Sequence, residues 1–597
     1  MEKNTIWAIV LSTIVVIASF LLQPIIFGPQ IEAAMQQQEI AAQEQKELAE
    51  KENSVLIESE ILQNDSEFVN AEIQENLKEE FVTITTDVVE VVFSNKGGDI
   101  ISYKLLKHFD KDTGTGIQLA DNVTETNRAC ALALGTADKE IINQIFEHEM
   151  IDENTILFKR NFVFEKNGKK EVVTLGKKYS FKPGEYMFKL DILVHGLENF
   201  TGFDYDGTAY TLRTSPQIGP HFDPKKDKYE NRQFLAYNGK KTKKVILAQG
   251  QFKPYEKSFM WCGIAGKYFE ELVIPNNPEI IKEGLYSSQI EVNDYANAQA
   301  LLERRAFTSA DIQDTYYMYF GPRSEKYLKV YNVSDENAWN FGGRRVTESL
   351  QTSGFLSWLE NILKWALEVI HKVVKNWGVA IIVLTIILKL LMFPLSKKQS
   401  LGTVKMQELQ PKVQEIQKKY ENDKQKQQME MTKLYQEAGY NPASGCLPMI
   451  FQFLILFAMY NLFNNYFDFR GASFIPGWIP DLTLGDSVYQ FKFNIPLLGN
   501  HLRLLPIIYT ASQLLFGKIT QYNGAQSNAS MKFMTYGMPL IFFFLFYNAP
   551  AGLLLYWTVS NFFQMGQQII LNKMVAKKKA ETKNNKTNVP TKKNNKR

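Results

Sequence analysis

Long apolar runs near the two ends of this chain constrain its fold more than any other feature. Each approaches the roughly 20 residues that an α-helix needs to cross a bilayer. The six candidate spans are residues 5–27, 377–395, 447–463, 502–519, 532–547 and 551–571. The first run is longer than a signal-peptide core and no clean cleavage site follows it, which favours an uncleaved anchor at 1–28 over a cleaved signal peptide. The pattern predicts an α-helical polytopic membrane protein, with this anchor followed by a five-helix core at 376–572.

Lys389 lies inside the second span, where a charge costs about 2.5–3.5 kcal/mol even on lenient insertion scales. Thr385 lies one turn earlier on the same face. Polar side chains recur on the other spans: Gln452, Asn461 and Asn464 on the third, Thr510, Ser512 and Gln513 on the fourth, and Tyr556, Trp557, Ser560, Asn561 and Gln564 on the sixth. For any single polar residue, an interhelical hydrogen bond is as good an explanation as a functional site. For Lys389, the alternative is that its side chain snorkels to the headgroups. Together the polar residues predict a cavity that is wetted from the cytoplasm.

Between the first two spans, the texture changes to strands and turns. Apolar residues alternate with polar ones in runs such as 186–194, and Gly, Pro and Asn separate the runs. This spacing predicts an all-β sandwich at 81–350, inserted between the anchor and the helical core.

The remaining segments connect these parts. Residues 29–80 are rich in Gln and Glu and predict a polar linker. Residues 351–375 predict an amphipathic helix that lies at the membrane surface, with packing on the β domain as the alternative. Residues 396–440 predict a helical hairpin, because apolar residues recur at alternating three- and four-residue steps. Residues 573–597 form a basic tail.

Lysines near the span ends predict the orientation of the chain in the membrane. Lys397, Lys398 and Lys405 follow the second span, and the basic tail follows the sixth. Positive residues favour the cytoplasmic side, which places both termini and the hairpin in the cytoplasm. The β domain then lies outside the cytoplasm, in the periplasm of a Gram-negative cell.

The sequence gives no sign of catalysis, of a metal or of a cofactor. The histidines lack metal-ligand spacing, and no phosphate-binding loop occurs in the sequence. Cys130, Cys262 and Cys446 are too scattered for a disulfide framework, and free thiols are favoured over a Cys130–Cys262 pair. The net charge of +3 is close to neutral and does not indicate a class of binding partner. It gives no reason to expect recognition of a nucleic-acid sequence.

Several motifs occur together in a characteristic order. They are Asn376-Trp377-Gly378, Lys389 with Met392-Phe393-Pro394-Leu395, Leu409-Gln410-Pro411-Lys412, Asn441-Pro442 with Gly445-Cys446-Leu447-Pro448, and Pro550-Ala551-Gly552-Leu553 through Ser560-Asn561. On these motifs the chain resembles the YidC-type membrane protein insertases with a large periplasmic domain. The resemblance covers 355–573, and the anchor and β domain fit it more loosely. Lys389 replaces the arginine that is typical of the family, which keeps the charge but loses the planar fork.

The resemblance implies a hydrophilic groove that receives nascent membrane proteins in the inner membrane. Lys389 would supply its charge, and the substrate-contacting residues would be Thr385, Gln452, Asn461, Gln513, Tyr556, Trp557, Ser560 and Asn561. The third and sixth spans would form the surface along which substrates slide into lipid. The Sec translocon, the ribosome (through the basic tail) and membrane lipids are the implied partners. The β domain would be similar in fold to sugar mutarotases, without an evident active site.

Two other classes of protein are weighed against an insertase. A secondary transporter also places a lysine among polar helices, but no inverted repeat of broken helices occurs in the sequence. A membrane-anchored carbohydrate-processing enzyme requires paired carboxylates in a sugar pocket of the β domain. No motif there fixes two such groups together.

Overall fold

The computed structural model describes residues 67–69, 78–110, 114–166, 169–196, 204–221, 230–245, 250–256, 258–288, 290–292, 295–350, 356–439, 443–495, 498–521 and 533–587. These residues fall into two compact units, one within Glu60–Ser353 and one within Gly354–Arg597. The predicted anchor at 1–28 and the end of the basic tail lie outside the described residues. The predicted domain limits stay predictions.

The first unit contains most of the strands. They are β1 (Glu67–Val69), β2 (Phe81–Thr85), β3 (Val89–Ser94), β4 (Asp99–Phe109), β5 (Gly116–Gln118), β6 (Ala120–Asp121), β7 (Leu132–Leu134), β8 (Glu147–Asp152), β9 (Thr155–Lys166), β10 (Lys169–Ser180), β11 (Met187–His195), β12 (Thr208–Arg213), β13 (Gln217–Ile218), β14 (Gln233–Tyr237), β15 (Thr242–Val245), β16 (Phe252–Glu256), β17 (Trp261–Ala265), β18 (Phe269–Pro275), β19 (Ile281–Ser287), β20 (Ile290–Val292), β21 (Tyr295–Ala296), β22 (Gln299–Arg305) and β23 (Ile312–Pro322). Two further strands, β24 (Tyr489–Ile495) and β25 (Gly499–Leu502), pair in the second unit.

Three larger antiparallel sheets and two two-stranded ones (β6-β13 and β20-β21) build the β domain. The main sheet has ten strands in the order β1-β9-β10-β11-β23-β18-β17-β14-β15, with β8 also paired to β9. A five-stranded sheet (β16-β19-β22-β12-β7) and a four-stranded sheet (β2-β3-β4-β5) accompany it. Aromatic rings join the layers: Phe93 lies 4.8 Å from Tyr179, and Phe234 stacks at 4.4 Å on Tyr286. The predicted all-β sandwich is confirmed.

Buried polar groups also hold the β domain together. The ammonium of Lys177 is fully buried and pairs with Asp99, which also accepts from Arg128 at 2.9 Å. Cys130 and Cys262 are buried free thiols, as predicted.

The carboxyl group of Glu271 on β18 makes the stability of the β domain depend on pH. Burial raises its pKa to about 8, although the hydrogen bond from Ser215 and the charge of Arg232 oppose this shift. A carboxyl group whose pKa is raised in the folded protein stabilises the folded state fully at pH values below its ordinary pKa of 4.5. This stabilisation is lost as the pH rises through the pKa of the folded state. We expect the protein to lose stability between about pH 5 and pH 8, and Glu271→Gln to lose less. Thermal unfolding of the full chain in detergent across this range measures the effect. The exposed Glu279→Gln is the control, and parallel curves for all three proteins would contradict the prediction.

Helices dominate the second unit. They are α2 (Ser357–Val374), α3 (Trp377–Leu391), α4 (Phe393–Lys419), α5 (Lys424–Glu437), α6 (Ala443–Asn465), α7 (Leu504–Gln521), α8 (Met538–Phe546) and α9 (Ala551–Thr587), while the short α1 (Glu325–Leu328) belongs to the first unit. Single 3₁₀ or π turns occur at Pro278–Ile280, Lys329–Asn332, Ser334–Glu336, Val346–Leu350, Phe467–Phe469 and Phe533–Gly537. None of the helices in the described ranges is both long and apolar enough to qualify as a membrane-crossing segment.

The helix bounds differ from each predicted span of the second unit; α8, for example, covers Met538–Phe546 of the span predicted at 532–547. Two of the differences concern α3 and α9. The span predicted at 377–395 ends early, since α3 stops at Leu391 and α4 begins at Phe393. Pro394 explains the break, because proline is favoured in the first turn of a helix and disfavoured in its interior. The last helix continues from Ala551 to Thr587, well beyond the span predicted at 551–571.

The segment 466–503, here called the cap loop, connects α6 to α7 and binds the starts of three helices. A helix leaves its first N–H groups without partners inside the helix. The buried carboxylate of Asp486 accepts from the N–H groups of Leu504 and Leu505 at 2.7 and 2.9 Å, at the start of α7. The carbonyls of Leu484 and Leu482 accept from the first two N–H groups of α9 at 2.6 and 2.9 Å.

The motif Asn376-Trp377-Gly378 forms the third of these helix starts. The side-chain oxygen of Asn376 accepts from the N–H of Val379 at 3.0 Å and caps α3. Trp377 stacks on His371 of α2 at 3.8 Å. Gly378 lies against the ring of Phe474 in the cap loop. A Cβ atom on residue 378 would overlap this ring. Each residue of the motif therefore has a packing role at one end of α3.

Gly378→Ala tests how closely the cap loop packs on α3. Overpacking of this kind costs about 1–3 kcal/mol, so we expect a lower melting temperature in detergent. In the Phe474→Ala background the same change should cost much less, because the ring that it meets is gone. Gly566→Ala on α9 is the matched control, since nothing lies within 4 Å of a Cβ at that position. An equal loss in both backgrounds would contradict this contact.

Candidate functional site

Four helices of the second unit, α3, α6, α7 and α9, carry the polar residues that the sequence analysis selected. Helix α9 packs on α3, on α7 and more lightly on α6. These helices bring most of the selected residues into two hydrogen-bonded groups, and they leave Asn461 apart from both.

The first group surrounds Lys389, whose side chain is only 7% exposed. Its Nζ donates to Oε1 of Gln452 on α6 at 3.3 Å. Nε2 of Gln564 on α9 donates to the same oxygen, also at 3.3 Å. Nε2 of Gln567 donates to the main-chain carbonyl of Lys389 at 3.4 Å. Side chains from three helices thus meet at one amide oxygen.

The second group joins α9 to α7. Nδ2 of Asn561 donates to the hydroxyl of Ser512 at 3.1 Å, and Nε2 of Gln513 donates to the hydroxyl of Tyr509 at 2.9 Å. The Trp557 ring lies 5.6 Å from Tyr509. Its indole N–H is buried and, in the part of the chain that the structure describes, has no hydrogen-bond partner. This group therefore contains an unused donor beside neutral polar side chains.

Three other predicted residues are buried near these groups. Thr385 is fully buried and its hydroxyl donates to the carbonyl of Ile381 in its own helix at 2.6 Å. Tyr556 belongs to the apolar core of the helical unit, with its ring 6.4 Å from that of Phe463. Ser560 is buried one turn further along α9.

Asn461 lies nine residues beyond Gln452, about 13 Å further along α6. Its Nδ2 donates at 2.8 Å to Oε1 of Glu360 on the amphipathic helix α2. Glu360 is buried, although a charged residue of an amphipathic helix is expected on its water-facing side. The apolar residues Trp358 and Trp365 are instead 58% and 65% exposed. Helix α2 therefore contacts α6 partly through its polar side.

Asn461→Ala tests this contact. Removing the amide leaves the buried carboxylate of Glu360 without that donor, which costs about 1–3 kcal/mol or more for a charged group. We expect a lower melting temperature in detergent. Asn465→Ala is the control, because Asn465 is exposed and donates only to a carbonyl of its own helix. A loss no larger than that of the control would show that the Glu360–Asn461 contact is unimportant for stability.

The sequence analysis missed Gln567, and it noted Gln564 without including it among the substrate-contacting residues. Gln567 lies one turn beyond Gln564 on α9, but no pattern in the sequence links it to Lys389. Gln564 lies on the stripe of Trp557 and Asn561, but its partner Gln452 is 112 residues away in the sequence. The spacing along a helix shows which residues share a face, whereas the partner across the interface depends on how the helices pack.

The arrangement offers hydrogen bonds and one positive charge. Within the described ranges, no carboxylate forms an ion pair with Lys389, and no cluster of His, Cys, Asp or Glu could hold a metal ion. Such a site suits the binding of a polar or acidic segment.

Comparison with known proteins gives two family matches. Residues 369–579 match the family described as 60Kd inner membrane protein. Residues 81–365 match the YidC periplasmic domain. The first match includes all residues of both hydrogen-bonded groups.

The chain is also similar to individual proteins. The chain is 44% identical over 586 residues to a membrane protein insertase YidC of Treponema denticola, covering 97% of this chain and 100% of that one. The crystal structure of an active YidC insertase with its first transmembrane domain resolved is 17% identical, with a TM-score of 0.35, covering 82% of this chain and 92% of that one. A galactose mutarotase related enzyme of Lactobacillus acidophilus is 11% identical, with a TM-score of 0.27, covering 40% of this chain and 97% of that one.

Proposed function

The chain belongs to the YidC family of membrane protein insertases, and from this premise we propose that the polar residues around Lys389 form the groove that receives a nascent membrane protein. The protein is an insertase of the inner membrane with a periplasmic domain. It is not an enzyme, and the transporter and carbohydrate-enzyme alternatives give way to this assignment.

The buried ammonium of Lys389 carries the proposal. Its side-chain partner is the neutral amide of Gln452, so its charge is not cancelled by a described carboxylate. A charge in apolar surroundings attracts an opposite charge far more strongly than it does in water. An acidic residue in a translocated segment would gain this attraction when it leaves the cytoplasm. We assign the same groove Thr385, Gln513, Tyr556, Trp557, Ser560 and Asn561 as residues that meet substrate.

Insertion along this route needs no nucleotide. Moving an apolar segment from water into lipid is favourable by about 0.8 kcal/mol for each buried CH₂ group. The costly part is the polar segment that must cross, and the groove lowers this cost by replacing water with amides, hydroxyls and one positive charge. The substrate helix would leave along α6 and α9 into lipid.

The orientation and the partners belong to the proposal as well. We assign both termini and the hairpin of α4 and α5 to the cytoplasm, which places the cap loop and the β domain on the periplasmic side. The lysine-rich end of α9 would meet the ribosome, and the Sec translocon and membrane lipids would be further partners. Asn461 is assigned to the contact with Glu360 rather than to the substrate path.

Substitution of Lys389 tests the proposal directly. Lys389→Ala should slow the insertion of substrates whose translocated segment contains Asp or Glu, by roughly tenfold if about 1.4 kcal/mol of attraction is lost. Lys389→Arg keeps the charge and should insert them as the wild type does. Protease protection of a radiolabelled substrate in vesicles measures insertion. A matched substrate with Asn in place of Asp is the control, and equal insertion by all three proteins would refute a required charge.

A further inference from the structure

Gln452 occupies an unusual position in the Lys389 group. Its side-chain oxygen accepts two hydrogen bonds, one from Lys389 on α3 and one from Gln564 on α9, both at 3.3 Å. An amide oxygen has two lone pairs, so both are in use. Gln452 itself is on α6. One atom therefore connects three helices and holds the ammonium.

A lysine near the end of a helix does not need to stay where Gln452 holds it. Its four-carbon stem is flexible, and an ammonium commonly extends towards water or headgroups when it can. Lys389 lies in the last turn of α3, two residues before the helix ends at Leu391. Without an acceptor on α6, the ammonium has a short route away from the groove.

The chemistry of the acceptor matters as much as its position. A carboxylate at position 452 would hold the ammonium more tightly and would cancel its charge. A neutral amide fixes the ammonium and leaves its charge available. Gln452 thus combines two properties that an apolar residue or a carboxylate would not provide together.

We propose that Gln452 is a positioning residue, which holds the Lys389 ammonium in the groove and thereby sets its preference for acidic translocated segments. Gln564 completes the arrangement by filling the second lone pair of the same oxygen. The inference rests on the proposed role of Lys389 and gives Gln452 a role through that residue, in place of the direct substrate contact expected from the sequence.

A double-mutant cycle tests this role. Gln452→Met keeps the length of the side chain but removes the acceptor, and should slow the insertion of a single-span substrate with two Asp residues in its translocated segment by roughly three- to tenfold. In the Lys389→Ala background the same change should have no further effect, because residues that act through one another are not additive. A merely structural role would lower insertion in both backgrounds.

Gln452→Glu provides a second, nearly isosteric variant. The carboxylate should pair with Lys389, so insertion of the Asp substrate falls to about the level of Lys389→Ala. Insertion of a matched substrate with two Lys residues in place of Asp should not fall. Gln568→Glu is the matched control on α9, where Gln568 donates to Asn572 at 2.9 Å. It should leave the ranking of the two substrates unchanged.

The outcomes separate this inference from the proposed function. If Lys389→Ala inserts the Asp and Asn substrates as the wild type does, the proposed charge role fails and this inference fails with it. If Lys389→Ala is selectively impaired but Gln452→Met acts equally in both backgrounds, or Gln452→Glu lowers all substrates alike, only the positioning role is overturned. If Gln452→Met slows insertion only where Lys389 is present, and only for acidic substrates, the positioning role is supported.

Discussion

Unpartnered N–H groups at the starts of α3, α7 and α9 are the constraint on which the helical unit depends. Each helix leaves its first donors without acceptors, and in apolar surroundings an unmade hydrogen bond is costly. The side chain of Asn376 supplies the acceptor for α3. The cap loop supplies those for α7 and α9, through the carboxylate of Asp486 and the carbonyls of Leu482 and Leu484. Asp486 also accepts from the indole of Trp478 at 2.8 Å, which ties the loop to itself. Because one loop serves several helices, none of them can shift at this end without losing hydrogen bonds.

The hydrogen bonds around Lys389 are longer than those at the cap loop. The hydrogen bonds that Asp486 accepts are charge-assisted and 2.7–2.9 Å long, whereas those that join Lys389, Gln452 and Gln564 are 3.3 Å long. Short charge-assisted bonds are the stronger kind. The helices are therefore held firmly beside the cap loop and more weakly beside the lysine. The bond between Gln564 and Gln452 joins two neutral amides, so a polar segment can replace it with its own N–H and C=O groups at little cost.

Much of this organisation could be predicted from the sequence, because it depends on local patterns. Alternating apolar residues predicted the β sandwich, and polar residues at helical spacing on α9 predicted a stripe that includes Asn561 and Gln564. The early end of α3 was missed because an apolar run continues past the break that Pro394 makes. The burial of Glu360 was missed for a different reason: periodicity shows which residues of α2 share a side, but not which side meets α6. Contacts of this kind depend on packing between helices that are distant in the sequence.

A lysine at position 389, where the family resemblance led us to expect an arginine, fits the side-chain acceptor beside it. An ammonium has three donors, and Gln452 accepts from one of them. A guanidinium presents five N–H groups in a rigid fork, so it needs more acceptors to be satisfied in the same place. Gln564 already uses the second lone pair of the Gln452 oxygen. Among the described residues Lys389 has one side-chain acceptor, so its other donors are left to water or to substrate. An arginine at this position would take more of either while keeping the charge.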